Sequence, residues 1–173
     1  MWRQYSPCSE RGRKKITEKK LILSDEEALN IGYRIWKNEC NGSIEGLTTW
    51  NKGEEFASLG IGHFIWFPTG CKVPFGEAFP RLVDYLMANE SASAYVPNWL
   101  RSAFERGERS CPWRNREEFQ QALTSEEMRD LRTMLASTVS LQARYIANRM
   151  KLSLQKILDA AGEEEREQQH LDV

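Results

Sequence analysis

A glutamate near the end of a predicted helix has the setting in this chain that best suits acid catalysis. Residues 24–40 carry apolar side chains at three- and four-residue steps, and Glu39 closes the helical face that includes Ile35 and Trp36. A carboxylic acid that donates a proton near neutral pH needs a raised pKa, and burial against apolar groups is the commonest way to raise it. We therefore expect Glu39 to lie against these two side chains and to act as a general acid.

Local signals predict both ends of that helix. Ser24 and Glu27 have the spacing of a capping box at its start. Asn41-Gly42 supplies residues that tolerate a left-handed turn at its end, which places Glu39 in the last turn. A carboxylate there faces the negative end of the helix dipole, at a cost of about 0.3–1 kcal/mol when exposed. A local rule broken without structural gain is typical of a functional site.

The residues after this helix predict a small antiparallel sheet, and most of the remaining chain predicts helices. Residues 47–67 are rich in Thr, aromatic and branched residues around a turn at 51–54, which indicates a hairpin of two or three strands. Capping and periodicity then predict five further helices, at residues 80–89, 98–106, 115–123, 124–136 and 139–160. The fold class is therefore α+β and mainly helical.

Length and charge indicate one domain with charged ends. The chain has 173 residues, which is enough for one hydrophobic core. Its net charge of −1 gives no overall electrostatic attraction to nucleic acid. We expect residues 1–20, with seven basic side chains, to be a flexible extension, residues 21–162 to be the domain, and residues 163–173 to be an acidic tail. A nucleic-acid-binding arm on an unrelated helical domain is the alternative interpretation of residues 1–20.

Cysteine and histidine usage gives no metal or cofactor site. The four cysteines include no closely spaced pair, and the chain has two histidines, so we expect neither a zinc site nor a cofactor. Their disulfide state stays open. The sequence shows no signal peptide and no membrane-spanning stretch. We therefore expect a cytoplasmic chain as written, or a periplasmic or exported one if the start is misassigned.

The helix that ends in Glu39, together with Ser58-Leu59-Gly60-Ile61-Gly62-His63, resembles the lysozyme-like superfamily. In its phage-type lysozymes a glutamate closes the first helix and a strand contains Thr-x-Gly-Ile-Gly-His. The resemblance implies a small sheet beside a helical lobe, with sugar bound between them. It also implies cleavage of the β-1,4 bond between N-acetylmuramic acid and N-acetylglucosamine in peptidoglycan, by a monomer without a cofactor.

The same resemblance assigns roles to residues of this chain. Glu39 matches the general acid, Ser58 matches the threonine that positions water or sugar, and His63 closes the motif, where it supports the sheet or contacts substrate. The interval from Glu39 to His63 is longer than in the phage enzymes, so Glu45 is an alternative acid.

The second carboxylate of the phage enzymes has no direct counterpart, because its position holds Asn51 or Lys52. Either Glu54 or Glu55 substitutes for it, or Glu39 works alone, as the single glutamate of lytic transglycosylases does.

Four aromatic side chains are candidates for binding the sugar, because pyranose C–H faces pack on aromatic rings. They are Trp50, Trp66, Phe67 and Trp99, and Trp50 and Trp66 are the substrate-binding candidates that we prefer. Aromatic side chains at such positions are more often part of a core. A non-enzymatic module that keeps the fold and binds glycan or a protein partner therefore remains the alternative to a peptidoglycan glycosidase.

Overall fold

The structure is a computed structural model that describes residues 24–71 and 76–171. The predicted basic extension, residues 1–20, lies outside the described residues. The described chain is mainly helical, with one three-stranded antiparallel sheet, so the predicted α+β class is confirmed. No helix in the described ranges is both long and apolar enough to cross a membrane.

The first helix, α1 (Asp25–Cys40), begins and ends where the sequence predicts. Ser24 accepts a hydrogen bond from the Glu27 backbone N–H, and the Glu27 side chain accepts one from the Ser24 backbone N–H, which confirms the capping box. Asn41 closes the helix in the left-handed conformation, with φ of 51°. Glu39 consequently lies in the last turn.

The sheet consists of β1 (Thr48–Thr49), β2 (Ala57–Leu59) and β3 (Phe64–Trp66), in that spatial order. β1 is antiparallel to β2, with Thr49 opposite Ser58, and β2 is antiparallel to β3, with Ser58 opposite Ile65. A short 3-10 turn at Glu45–Leu47 leads from α1 into β1.

The remaining elements are helices. Their bounds are α2 (Phe79–Met87), α3 (Glu90–Ser93), α4 (Asn98–Glu105), α5 (Arg116–Gln121), α6 (Glu126–Ser137) and α7 (Val139–Leu171). Five of them match the predicted helices, whereas α3 falls in a stretch predicted to be a loop. A one-turn helix of four residues has too few repeats to show a period.

α7 extends further than the sequence analysis predicts. Its helical backbone continues through residue 171, so residues 163–171 of the predicted acidic tail belong to the helix. Four apolar side chains beyond Arg149 are more than half exposed: Met150, Leu152, Leu154 and Ile157. The described part of the chain therefore leaves the apolar side chains of these turns uncovered.

One core joins the sheet to the helices. α1 packs along α7, where Gly32 lies so close to Val139 that a Cβ would be 2.7 Å from its Cγ1. Arg144 of α7 pairs with Asp25, the first residue of α1. The largest fully buried side chains come from the sheet and from several helices, and include Leu47, Leu59, Trp66, Phe79, Leu100, Phe119, Leu131 and Met134. The sheet is thereby held against the helical lobe.

Candidate functional site

Glu39 and His63 come together where α1 faces the turn between β2 and β3. Glu39 Oε2 lies 3.6 Å from His63 Nε2, an ion-pair distance that is too long for a good hydrogen bond. The two side chains are 55% and 41% exposed, respectively. The expectation that Glu39 is buried against Ile35 and Trp36 is therefore wrong, because its side chain reaches solvent beside the turn. The position at the helix end is as predicted.

His63 does not lie within a strand, as the sequence analysis assumed, but in the β2–β3 turn. The turn starts at Gly60, with φ of +69°, and His63 itself has φ of +47°. A side chain other than glycine in this region is uncommon, although histidine is found there more often than most residues. The left-handed conformation places the imidazole on the side of the turn that faces Glu39.

A buried glutamine on α7 holds this turn. The Gln142 side chain is fully buried, and its Oε1 accepts a hydrogen bond from the Ile61 backbone N–H at 3.0 Å. Its Nε2 donates to the Leu135 carbonyl oxygen at 2.6 Å and to Thr138 Oγ1 at 3.0 Å. All the polar atoms of the amide thus have partners, which makes Gln142 a rigid link between α7 and the turn. The sequence analysis missed this residue.

Ser58 is placed inside the sheet. It lies in the middle of β2, its side chain is buried, and its carbonyl oxygen accepts a hydrogen bond from Thr49 Oγ1 at 3.2 Å. Glu39 pairs with His63. The role of Ser58 in positioning water or sugar stays a prediction.

Trp50 and Trp66 are core residues, so their expected role as sugar-stacking surfaces is wrong. They are 4% and 1% exposed. Trp50 Nε1 donates to the Glu54 carbonyl oxygen at 2.7 Å, and Trp66 Nε1 donates to the Arg109 carbonyl oxygen at 2.7 Å. Both rings pack on other aromatic side chains, among them Phe119 for Trp50. Neither offers a face to a sugar.

The other candidate carboxylates differ in their surroundings. Glu45 is exposed in the 3-10 turn after α1, and Glu55 is exposed just before β2. Glu54 is half-buried, and its Oε2 accepts a hydrogen bond from Asn51 Nδ2 at 3.1 Å. Among these four glutamates, the structure pairs Glu39 with an imidazole.

An aromatic pair, exposed Tyr33 and partly buried Trp36, precedes Glu39 on α1, and the sequence analysis did not single it out. The rings of Tyr33 and Trp36 are stacked, with centroids 6.0 Å apart and planes 15° apart. Trp36 Nε1 donates to the Ser43 carbonyl oxygen at 2.8 Å, which fixes the indole, and Tyr33 is 52% exposed. The three-residue spacing of Tyr33, Trp36 and Glu39 was the available signal.

An open pocket of about 470 Å³ lies between the turn and α7. Gly62 and Phe64, the neighbours of His63 in the chain, line one side, and α7 supplies the rest. Its lining is mainly apolar, with Arg149 and Ser153 as the polar side chains from α7.

A second half-buried carboxyl lies away from the turn. Glu77 Oε1 accepts a hydrogen bond from the Phe67 backbone N–H at 2.7 Å. Burial raises the pKa of the Glu77 carboxyl, against the opposing effects of this hydrogen bond and of Arg109. Burial also raises the pKa of the Cys111 thiol, to about 12, which makes this cysteine a poor nucleophile at neutral pH.

Within the described residues the cysteines are free thiols and no metal site is formed. Cys40, Cys71 and Cys111 are unpaired, and no group of three or more potential metal ligands occurs there. This part of the chain therefore offers carboxylate and imidazole chemistry at the end of α1.

Comparison with known proteins adds no relative. No family model, curated protein or solved structure matches this chain.

Proposed function

We propose that this protein is a peptidoglycan glycosidase that cleaves the β-1,4 bond between N-acetylmuramic acid and N-acetylglucosamine with Glu39 as its acid. One observation carries the proposal. The carboxylate that ends α1 meets the histidine of the Gly-Ile-Gly-His turn at 3.6 Å, and both side chains remain open to solvent. In the lysozyme-like resemblance, Glu39 matches the general acid and His63 closes the Gly-Ile-Gly-His motif. Both belong to one chain, so the activity needs only a monomer.

The proposed reaction begins with proton transfer from the Glu39 carboxyl group to the glycosidic oxygen, whose bond to the muramic acid C1 breaks. In hydrolysis, water adds to C1. In transglycosylation, the 6-hydroxyl of the same muramic acid adds to C1 and forms an anhydro ring. In either case the proton that the attacking water or 6-hydroxyl group loses returns to Glu39, so no second carboxylate is required.

His63 acts in this scheme as a positioning residue. Its Nε2 lies 3.6 Å from Glu39 Oε2, so the imidazole contacts the carboxyl group and limits the positions that this group takes. Glu55, which is exposed, is the candidate for a second carboxylate if the enzyme uses two.

The test is a turbidity assay on purified cell walls with the wild-type chain and Glu39→Gln. Because a positioned general acid contributes about 10²–10⁴-fold to rate, Glu39→Gln should lower the clearing rate by that factor. Glu45→Gln is the matched control, since Glu45 is exposed and competes for the role on sequence grounds. Equal activity of wild type and Glu39→Gln, or loss of activity in Glu45→Gln alone, contradicts the assignment.

A non-enzymatic binding module is the second candidate, and the exposed apolar side chains of α7 favour it. Met150, Leu154 and Ile157 line the open pocket beside the β2–β3 turn, and such a surface is typical of a protein-binding site. This candidate predicts cosedimentation with cell walls or with a partner, without release of product, and to the same extent in Glu39→Gln.

A further inference from the structure

We infer that Tyr33 and Trp36 form an aromatic platform that binds a pyranose ring of a glycan strand beside Glu39. The inference rests on the proposed function, because it names the surface that would hold the sugar chain next to the acid. It replaces the buried Trp50 and Trp66, which cannot do so. The observations are the exposure of Tyr33, the stacking of the two rings and their place on α1.

The platform is continuous with the acid along the helix surface. Residues three apart are neighbours on a helix, so Tyr33, Trp36 and Glu39 form one ridge in which Trp36 lies between the other two. Six residues of helix span roughly 9 Å, a distance that a short oligosaccharide bridges. A sugar ring on the platform would therefore lead the chain toward the carboxylate.

Trp36 makes the platform rigid. Its indole N–H donates to the Ser43 carbonyl oxygen in the loop that follows α1, and the ring is partly packed on the core. The Tyr33 ring lies beside the fixed indole, with centroids 6.0 Å apart and planes 15° apart, and Tyr33 is 52% exposed. A flat aromatic surface held in this way matches the row of C–H groups on one face of a β-linked pyranose.

The polar edges of the platform also suit a sugar. The Tyr33 hydroxyl group both donates and accepts hydrogen bonds, as sugar hydroxyl groups do. Exposed tyrosine side chains give such mixed contacts at low entropic cost, because they have only two side-chain torsions. The ligand class that this surface fits is therefore a pyranose, which offers both a C–H face and hydroxyl groups.

The experiment measures binding of tetra-N-acetylchitotetraose, a soluble oligomer of N-acetylglucosamine, by isothermal titration calorimetry. The parent is the Glu39→Gln chain, which cannot turn the ligand over through Glu39. Adding Tyr33→Ala should weaken binding about tenfold, the factor that corresponds to roughly 1.4 kcal/mol. Tyr33→Phe keeps the ring and should bind within about threefold of the parent. Tyr95→Ala is the matched control, because Tyr95 is 49% exposed.

The outcomes separate this inference from the proposed function. Binding that is as tight in Tyr33→Ala as in the parent, or a parent that does not bind the oligomer, overturns the platform. Cell-wall clearing by the wild-type chain and its loss in Glu39→Gln are measured independently and decide the function. A platform that fails while clearing depends on Glu39 leaves the glycosidase in place with another sugar-binding surface.

Discussion

Replacing Gln142 by Met tests whether α7 holds the turn that carries His63. Methionine has a similar length and no branch, so the change removes the amide and alters the packing little. The Ile61 backbone N–H then loses its acceptor at 3.0 Å inside the core, and the Leu135 carbonyl loses its donor at 2.6 Å. A buried donor left without a partner costs about 1–3 kcal/mol, and the lost hydrogen bonds add about 1 kcal/mol.

We therefore expect Gln142→Met to lower the free energy of unfolding by about 2–4 kcal/mol, measured by urea denaturation followed by circular dichroism. Gln155→Met is the matched control, because Gln155 is exposed on the same helix and its replacement should change stability by less than about 0.5 kcal/mol. A second readout is the NMR signal of the His63 imidazole, which should move in Gln142→Met and stay in Gln155→Met.

A free energy of unfolding for Gln142→Met within about 0.5 kcal/mol of wild type, the range of ordinary surface substitutions, would show that Gln142 does not hold the turn. A fall in stability with an unchanged His63 signal would show that Gln142 supports the core without positioning the turn.

Two further predictions concern stability. Because burial raises the pKa of Glu77, the folded chain binds a proton there more tightly than the unfolded chain, and stability falls as pH rises from the ordinary glutamate pKa through the raised one. Glu77→Gln keeps an oxygen for the Phe67 N–H and should remove this fall in urea denaturation at a series of pH values; parallel profiles for the two proteins contradict it. Ser24→Ala removes the oxygen that caps α1 and should cost about 1 kcal/mol, whereas Ser110→Ala, at an exposed position, should cost less than about 0.5 kcal/mol. Equal losses of stability in Ser24→Ala and Ser110→Ala would contradict the stabilisation of α1 by its Ser24 cap.

The parts of the fold that local chemistry determines could be predicted from the sequence. α1 begins at its capping serine and ends at Asn41 because capping and left-handed turns depend on neighbouring residues. The three short strands could be predicted from the composition of residues 47–67. The α+β class of the domain could be predicted from the number of helices around this sheet.

Features that depend on distant contacts could not be predicted. Gln142 is 81 residues from Ile61 in sequence, and nothing local marks it as the acceptor for that N–H. The exposure of Glu39 depends likewise on where the β2–β3 turn lies relative to the end of α1. Trp50 and Trp66 are of a residue type that is common in sugar-binding surfaces. Packing against α5 buries Trp50, and packing against α2 buries Trp66.

The positive φ of His63 is an intermediate case. A histidine after Gly60-Ile61-Gly62 reads as part of a strand from its neighbours, yet the two glycines already permit a turn. Recognising the turn would have placed the imidazole outside the sheet, where it meets Glu39.

The most direct test of the central claim is mass spectrometry of the soluble fragments released from purified peptidoglycan in ¹⁸O-labelled water. We expect cleaved glycan from the wild-type chain, with ¹⁸O at the new end after hydrolysis or an anhydro end without ¹⁸O after transglycosylation. Glu39→Gln should release about 10²–10⁴-fold less product. Release of the same products at the same rate by Glu39→Gln, or no release by the folded wild-type chain, would contradict the claim that Glu39 is the acid of a peptidoglycan glycosidase.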